Sequence, residues 1–449
     1  MGMTMTEKIL ARSAGRDSVK AGEKVWANVD VLLTHDVCGP PAYAIFKREF
    51  GRNARFWDRS KVVVIPDHYI FTKDVHAMRN LQDLRKMAEE QDLIYFYDAF
   101  TPRYAGVCHV ALPDKGHVRP GSLILGTDSH TCTAGAFGAF ASGIGNTDAA
   151  FVMGTGKLWL RVPETIRVNL RNQLAPGVMA KDVILKVIRD LGGDGATYCA
   201  LEFAGEGVHA LSVDERMTLC NMAVEAGAKN GIMPVDDVTR AYLHQRGVDD
   251  TDAVESDADA QFAQVMEVDL AELPPYVALP HSPANGVPVS ECEGTRLTRA
   301  YIGSCTGGKL ADFVVAARVL QGQKVSIETY AVPATVDIAQ NLHTLRIGGQ
   351  TLAEILREAG VKVGEPSCAA CLGGPPDTFG RLNDAEIAIS TTNRNFPGRM
   401  GSKEAQVYLA SPATVAASAV AGRIVDPRKF VDEQSWRDLA EWVNPALAA

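Results

Sequence analysis

The sequence predicts an α/β protein with more than one domain. Three features carry that expectation: strand-length apolar runs, amphipathic helical segments between them, and Gly-rich turns where a strand gives way to a helix. "VDVLLTHD" (29–36) and "SKVVVIPDH" (60–68) read as strands, the second apolar almost throughout its middle, as in a parallel sheet covered on both faces. Between them "PAYAIFKREFG" (41–51) reads as a helix. "DVHAMRNLQDLRKMAEEQ" (74–91) spaces its apolar residues helically, and "LIYFYDAF" (93–100) returns to strand. "GSLILGTDSH" (121–130) is a strand entering a turn, and the Gly/Ala-rich stretch 135–160 reads as a tightly packed helix. Strands follow at 162–170 and 199–205, and helices at 182–192 and 212–228, the latter opening on the capping-box pair Ser212 and Glu215. Residues 273–295 hold five prolines and little periodicity, the mark of a connection between domains. Beyond it a second α/β region runs through "RAYIGS" (299–304), a helix at 309–322, a strand at 325–333 and a helix at 351–360. It closes with "AEIAIS" (385–390) and a small-residue helix at 411–427.

Composition narrows the function classes. A chain of 449 residues with 46% hydrophobic residues can bury large cores. A charged fraction of 22% and a pI near 5.6 speak against disorder and against a polyanion-binding surface, so nucleic acid is not expected as the main partner. No run approaches the ~18 apolar residues of a membrane span, and the first residues lack the apolar core of a signal peptide. Nine cysteines without an export signal are expected as reduced thiols in the cytoplasm.

Several polar clusters interrupt this apolar frame. Cys368 and Cys371 stand three apart in a Gly/Pro turn, and the pair alone leaves a disulfide, half a metal site or two buried small residues open. Cys305, in "YIGSCTGGKL", follows a strand and precedes a helix, where thiolate is favoured. Three thiols at like ends of α/β units suit zinc or an iron–sulfur cluster, although no fourth ligand completes a closed zinc site. The same segment, Gly303 to Lys309, fits the first seven positions of a phosphate-binding loop, but Leu310 stands where Ser or Thr should hold magnesium. Asp67 and His68 end one strand, Asp128, Ser129 and His130 end another, and His109 lies between them. A carboxylate beside an imidazole fixes its tautomer and raises its basicity. Arg394 and Arg399, in "STTNRNFPGRMGS", are suited to clamping carboxylates bidentately.

Taken in order, "HDVCGP", "GTDSHTCTAGAFGAFASGIG", "YIGSCTGG", "CAACLGG", "ISTTNRNFPGRMGS" and "VYLASPATVAASAVAGRI" resemble the aconitase superfamily nearly end to end. The nearest group is the large subunits of 3-isopropylmalate dehydratase and 2,3-dimethylmalate dehydratase. The resemblance implies an aconitase-like fold of three α/β domains around a [4Fe–4S] cluster, lacking the swivelling fourth domain. Residues 1–280 would form two intertwined domains, 281–295 a linker, 296–430 the third domain and 431–449 a tail. Cys305, Cys368 and Cys371 match the three cluster ligands, leaving one iron open. Asp67 and His68 match the pair that protonates the departing hydroxide. Asp128 matches the partner of His109, and Glu202, in "CALEFAG", the partner of His130. Ser129, Arg394 and Arg399 match substrate-carboxylate contacts, with Asn393 close to the cluster. The implied activity is a hydro-lyase or isomerase acting on a 2-hydroxy di- or tricarboxylic acid, with the base supplied by a separate small subunit.

The chain also departs from the group. "SCTGGK" stands for the common SCTNGR, placing Gly307 and Lys309 where an amide and an arginine are usual. "DHYIFT" replaces DHxxPT, "VDIAQNLHTLRIGG" replaces a Tyr-containing helix, and "CLGGPPD" replaces CLGGHMG. Related substrates such as 2-methylmalate/citraconate, 2,3-dimethylmalate or homocitrate therefore stay open, as does a more remote role as an RNA-binding apo-protein.

Overall fold

The computed structural model describes residues 2–249 and 251–443. The chain forms two compact units: residues up to Asn169 with Ala196–Gly205 and Cys220–Glu267, and Leu170–Gly195 with Glu206–Leu219 and the residues described from Val268 on.

The first unit is built on a five-stranded parallel sheet in the order Tyr95–Phe96, Val62–Val64, Val31–Thr34, Leu123–Gly126, Phe140–Gly143. The all-valine strand is buried on both faces, as its composition requires. From Val31–Thr34 the chain builds outward to one side, then returns to build on the other. That reversal opens a crevice at the carboxyl ends of the middle strands. The helix Gly39–Phe50 begins with prolines, whose missing N–H costs nothing at a helix start, and stops at Gly51. Its Phe46 is fully buried, stacked near Phe50 and edge-on to Phe56, a burial that contributes roughly 1.5–3 kcal/mol. The helix Val75–Gln91 is capped by Asp74, whose carboxylate accepts from Ala77 N.

The Gly/Ala-rich stretch 135–160 is not one helix. It continues the 3-10 segment Ser129–Phe137 and then forms the strand Phe140–Gly143, the helix Asn146–Thr155 and the strand Lys157–Arg161. Gly138, at φ 73°, ends the 3-10 segment in a conformation that side chains with a Cβ resist. A second sheet orders Asn230–Ile232, Ala200–Ala204, Thr165–Arg171 and Gln264–Asp269, the first three parallel.

The second unit carries a seven-stranded mixed sheet: Gly286–Pro288, Tyr276–Ala278, Gln406–Ala410, Ile387–Ser390, Arg299–Ile302, Glu328–Ala331, Lys362–Val363. Its first two strands come from the proline-rich stretch 273–295, and residues 281–295, expected as a linker, lie within this unit. Prolines are compatible with strand here because Pro288 closes an edge strand, where no ladder hydrogen bond is lost. The helix Val336–Thr344, capped by Thr335, and the short pair Arg346–Ile347 and Gln350–Thr351 were not anticipated. The small-residue helix forms as Pro412–Ala421 and packs on Leu310–Leu320, Ala and Ser letting the two axes approach. Of the expected tail 431–449, the helix Glu433–Val443 is present and residues 444–449 lie outside the described residues. Among the described residues no disulfide forms, and no helix is long and apolar enough to cross a membrane.

Candidate active site

In the first unit, polar residues crowd the carboxyl ends of three adjacent strands. His35 and Asp36 follow Val31–Thr34, Asp67 and His68 follow Val62–Val64, and Asp128, Ser129 and His130 follow Leu123–Gly126. Asp36, fully buried, organises the turn beside it. Its Oδ1 accepts from the backbone N–H of Asp67 at 2.8 Å and of His68 at 3.0 Å, and its Oδ2 accepts from that of Tyr69 at 2.6 Å. The turn so fixed sets Asp67 Oδ1 2.6 Å from His68 Nδ1, while Asp67 Oδ2 accepts from Cys108 N at 2.8 Å.

Burial pushes the His68 pKa down, but the Asp67 charge and hydrogen bond, with Asp128 and Asp36 behind them, push it up to about 10. Burial likewise raises Asp67, yet the His68 charge and hydrogen bond outweigh it and hold that carboxyl below its ordinary range. At neutral pH the pair is imidazolium and carboxylate.

Asp128 caps the 3-10 segment, accepting from His130 N at 2.7 Å, and its Oδ1 lies 2.8 Å from His109 Nε2. Its other oxygen is 3.7 Å from His68 Nε2. Despite burial, His109 and His130 hold this carboxyl well below its usual range. Ser129 is half-buried, with Oγ 3.5 Å from His130 Nδ1.

His130 does not meet Glu202. Its Nε2 lies 2.8 Å from Glu225 Oε1, both side chains buried. Glu202 sits in the strand Ala200–Ala204, where it accepts from Ser256 Oγ at 2.6 Å and faces Arg167 at 3.7 Å. The pairing carried over from the resemblance is therefore corrected: the helix expected over 212–228 ends early, and its 3-10 continuation Ala223–Ala226 presents Glu225 to the imidazole. The sequence reading also missed His35 and Asp36, although "THD" after an apolar run is the same signal as "PDH". The His35 ring lies 4.4 Å from that of His68, tilted by 34°, and its buried Nε2 has no hydrogen-bond partner among the described residues. Burial and the neighbouring His68 charge lower its pKa.

The second unit gathers the thiols, again where its sheet order reverses. Cys305 follows Arg299–Ile302 and Asn393 follows the adjacent parallel strand Ile387–Ser390. Cys368 and Cys371 follow Lys362–Val363, and all three cysteines are buried. Hydrogen bonds to Cys305 and Cys371, together with burial, push the Cys368 thiol well above its ordinary range. Asn393 bridges the set: its Nδ2 donates to Cys305 Sγ at 3.3 Å, and its Oδ1 accepts from Cys371 Sγ at 3.3 Å. Ser304 holds φ at 72°, a strained value for a residue with a Cβ, immediately before Cys305.

The departures at 307 and 309 have a structural reading. A Cβ at Gly307 would lie 2.2 Å from Thr391, whose Oγ1 accepts from Gly303 N and donates to Gly303 O, so no side chain fits there. Lys309 is fully buried, donating to Thr218 Oγ1 at 2.9 Å and Asp312 Oδ2 at 2.8 Å. A lysine so engaged has nothing left for a phosphate, and the phosphate-loop reading falls. Lys181, also missed, is buried with its ammonium on Thr306, Thr391 and Thr392. Burial and the Lys309 charge lower its pKa to about 7, against the opposing pull of Cys305 and Cys371. Arg394 and Arg399 are half-buried in the loop after Ile387–Ser390, and Arg399 keeps a buried Nε without an acceptor among the described residues.

The aconitase family (aconitate hydratase) description matches residues 7–298 and 290–422. The chloroplastic 3-isopropylmalate dehydratase large subunit of Arabidopsis thaliana is 53% identical, over 96% of this chain and 87% of its own. The 3-isopropylmalate dehydratase large subunit 1 of Methanopyrus kandleri is 48% identical, over 96% of this chain and 100% of its own. The 3-isopropylmalate dehydratase large subunit of Desulfitobacterium hafniense is 45% identical, with the same two coverages, 96% and 100%. With its fold, its His/Asp crevice and its three gathered thiols, this chain belongs to the aconitase family of hydro-lyases, a membership that implies an iron–sulfur cluster.

Proposed function

We propose that this chain is the large subunit of a 3-isopropylmalate dehydratase-type hydro-lyase, which removes and re-adds water on a 2-hydroxy dicarboxylic acid. The observation that carries the reading is identity of 45–53% over nearly the whole chain to relatives from a plant, an archaeon and a bacterium, each named as that subunit. Those names also support a small-subunit partner, which would bring the base that takes the α-proton.

The residues fit an iron–sulfur cluster. Three buried thiols gather, Cys305 and Cys371 within hydrogen-bonding reach of Cys368, a soft donor set that suits iron–sulfur chemistry. Tyr301 keeps a buried hydroxyl without a partner among the described residues, and burial first, then the nearby Cys368 and Cys371, raise its pKa. Cys305, Cys368 and Cys371 would hold the cluster. When bound through three cysteines, it supplies a Lewis acid at its open iron toward the substrate hydroxyl.

The chain's own groups do the remaining work. His68, kept protonated by Asp67, gives its proton to the departing hydroxide, a poor leaving group that needs one. Asp128 fixes His109, and Glu225 fixes His130, so that both imidazoles keep one orientation. Arg394 and Arg399 offer guanidinium donors to a carboxylate on which charge develops after proton removal, and Ser129, beside His130, offers a hydroxyl. Asn393, tied to two sulfurs, sets the start of the arginine loop.

The test is anaerobic loading with iron and sulfide, followed by metal analysis and visible absorption, with Cys305→Ser beside it. About four irons per chain, lost in the variant, is the expected result. Zinc, or no metal, would sink the cluster assignment. Turnover of 3-isopropylmalate with an added small subunit, against citraconate and homocitrate, then tests the substrate.

A further inference from the structure

Lys181 has no part in the reaction as drawn above, yet its surroundings are demanding. It lies in the first turn of the helix Ala180–Leu191 and is 1% exposed. Its Nζ donates to Thr306 Oγ1 at 3.2 Å, to the Thr391 carbonyl at 3.1 Å and to the Thr392 carbonyl at 2.6 Å. Thr306 gives its own hydroxyl proton to the Thr391 carbonyl at 2.8 Å, so toward the lysine it can only accept. The ammonium form of lysine, with three N–H bonds, satisfies all three acceptors at once, whereas the neutral amine would leave one unmet.

All three acceptors are neutral. The other buried ammonium of this unit, Lys309, has Asp312 at 2.8 Å, whereas no carboxylate lies within ion-pair distance of Lys181 among the described residues. An unbalanced buried charge is strongly unfavourable unless an anion sits close by. The acceptors show where that anion belongs. Thr306 directly follows Cys305, and Thr391–Thr392 lead directly into Asn393, whose amide touches the sulfurs of Cys305 and Cys371.

We propose that Lys181 is a positioning residue and buried counter-cation for the sulfur centre: it ties the Cys305 loop to the Asn393 loop and offsets the charge of the thiolates. The inference rests on the cluster reading above.

Full-length wild type, Lys181→Met, Lys181→Arg and Thr306→Ala are loaded anaerobically with iron and sulfide. Each is then challenged with a ferrous chelator while visible absorption is followed, and the midpoint potential is measured by redox titration. Lys181→Met is expected to release iron about 10–100-fold faster, as loss of an outer contact to a metal site does, with its potential shifted negative. Lys181→Arg, which keeps the charge, restores the potential. Thr306→Ala, which keeps the lysine and removes one tether, speeds release with a smaller shift in potential. If Lys181→Met fails to fold by circular dichroism, Thr306→Ala carries the test, and a wild-type release rate there overturns the tether. A loaded wild type whose Lys181→Met releases iron at the same rate and potential overturns the inference alone. A wild type that takes up no iron overturns the cluster reading and the inference together.

Discussion

Exchanging a carboxylate for an amide at two buried glutamates separates the geometry from the family expectation. In Glu225→Gln the side chain keeps its shape, but a neutral carbonyl replaces the carboxylate 2.8 Å from His130 Nε2. Both side chains are only 3–4% exposed, so solvent does little to screen the contact. A hydrogen bond involving a charged group contributes about 1.5–3 kcal/mol. At about 1.4 kcal/mol per factor of ten, its loss lowers kcat roughly 10- to 100-fold if His130 works as an oriented imidazole. In Glu202→Gln the affected contacts are Ser256 Oγ at 2.6 Å and Arg167 at 3.7 Å, neither of them a histidine. There the expected outcome is kcat within about twofold of wild type and a stability loss of about 1 kcal/mol. The assay is steady-state dehydration with the small subunit present, rates normalised to bound iron, alongside thermal melts of both variants. Should Glu202→Gln lower kcat as far as Glu225→Gln, the reassignment of the His130 partner is wrong.

The other expectations concern charge, packing and carboxylate binding. Because His68 is raised to about 10 by Asp67, its contribution to stability is fully present below pH 6.5 and declines as pH rises toward about 10. The stability gap between wild type and Asp67→Asn should therefore narrow across that window, and histidine NMR should show His68 titrating lower by about 1–3 in pKa in the variant. A wild-type His68 titrating near 6.5 would contradict this. Gly307→Ala forces a Cβ to 2.2 Å from Thr391 and should destabilise the chain by about 1–3 kcal/mol, read as a lower melting temperature. An unchanged melt would mean the loop yields. Arg399→Lys removes the Nε donor and the planar fork, and should raise KM about tenfold while leaving kcat within about threefold. A fall in kcat alone would place the arginine elsewhere in the reaction.

Much of the site was legible because polar residues at the ends of apolar strands stand out. Asp67 and His68 interrupt a valine run, and Asp128 to His130 interrupt an apolar one, so both declared themselves. His35 and Asp36 carried the same signal at Val31–Thr34. Glu225 was hidden for a physical reason: it lies in a run of helical composition, and only the backbone shows the helix giving way to a 3-10 turn that ends at Gly227. Lys181 was hidden because a lysine at the start of an amphipathic helix reads as solvated, and its burial depends on loops more than a hundred residues away in the chain. The strands within 273–295 were masked by prolines that flank Tyr276–Ala278 and close the edge strand Gly286–Pro288. Each miss lies where long-range packing overrides a local pattern.

The three backbone amides that converge on Asp36 form an anion receptor, and the protein occupies it with its own side chain. In Asp36→Ala that receptor would be vacated without moving the amides by covalent change, leaving room for a carboxylate of formate size. Added formate should then complement the variant chemically, restoring the His68 titration and activity in a saturable way that chloride does not imitate. The turn bearing the acid would in that case be switchable by a small molecule.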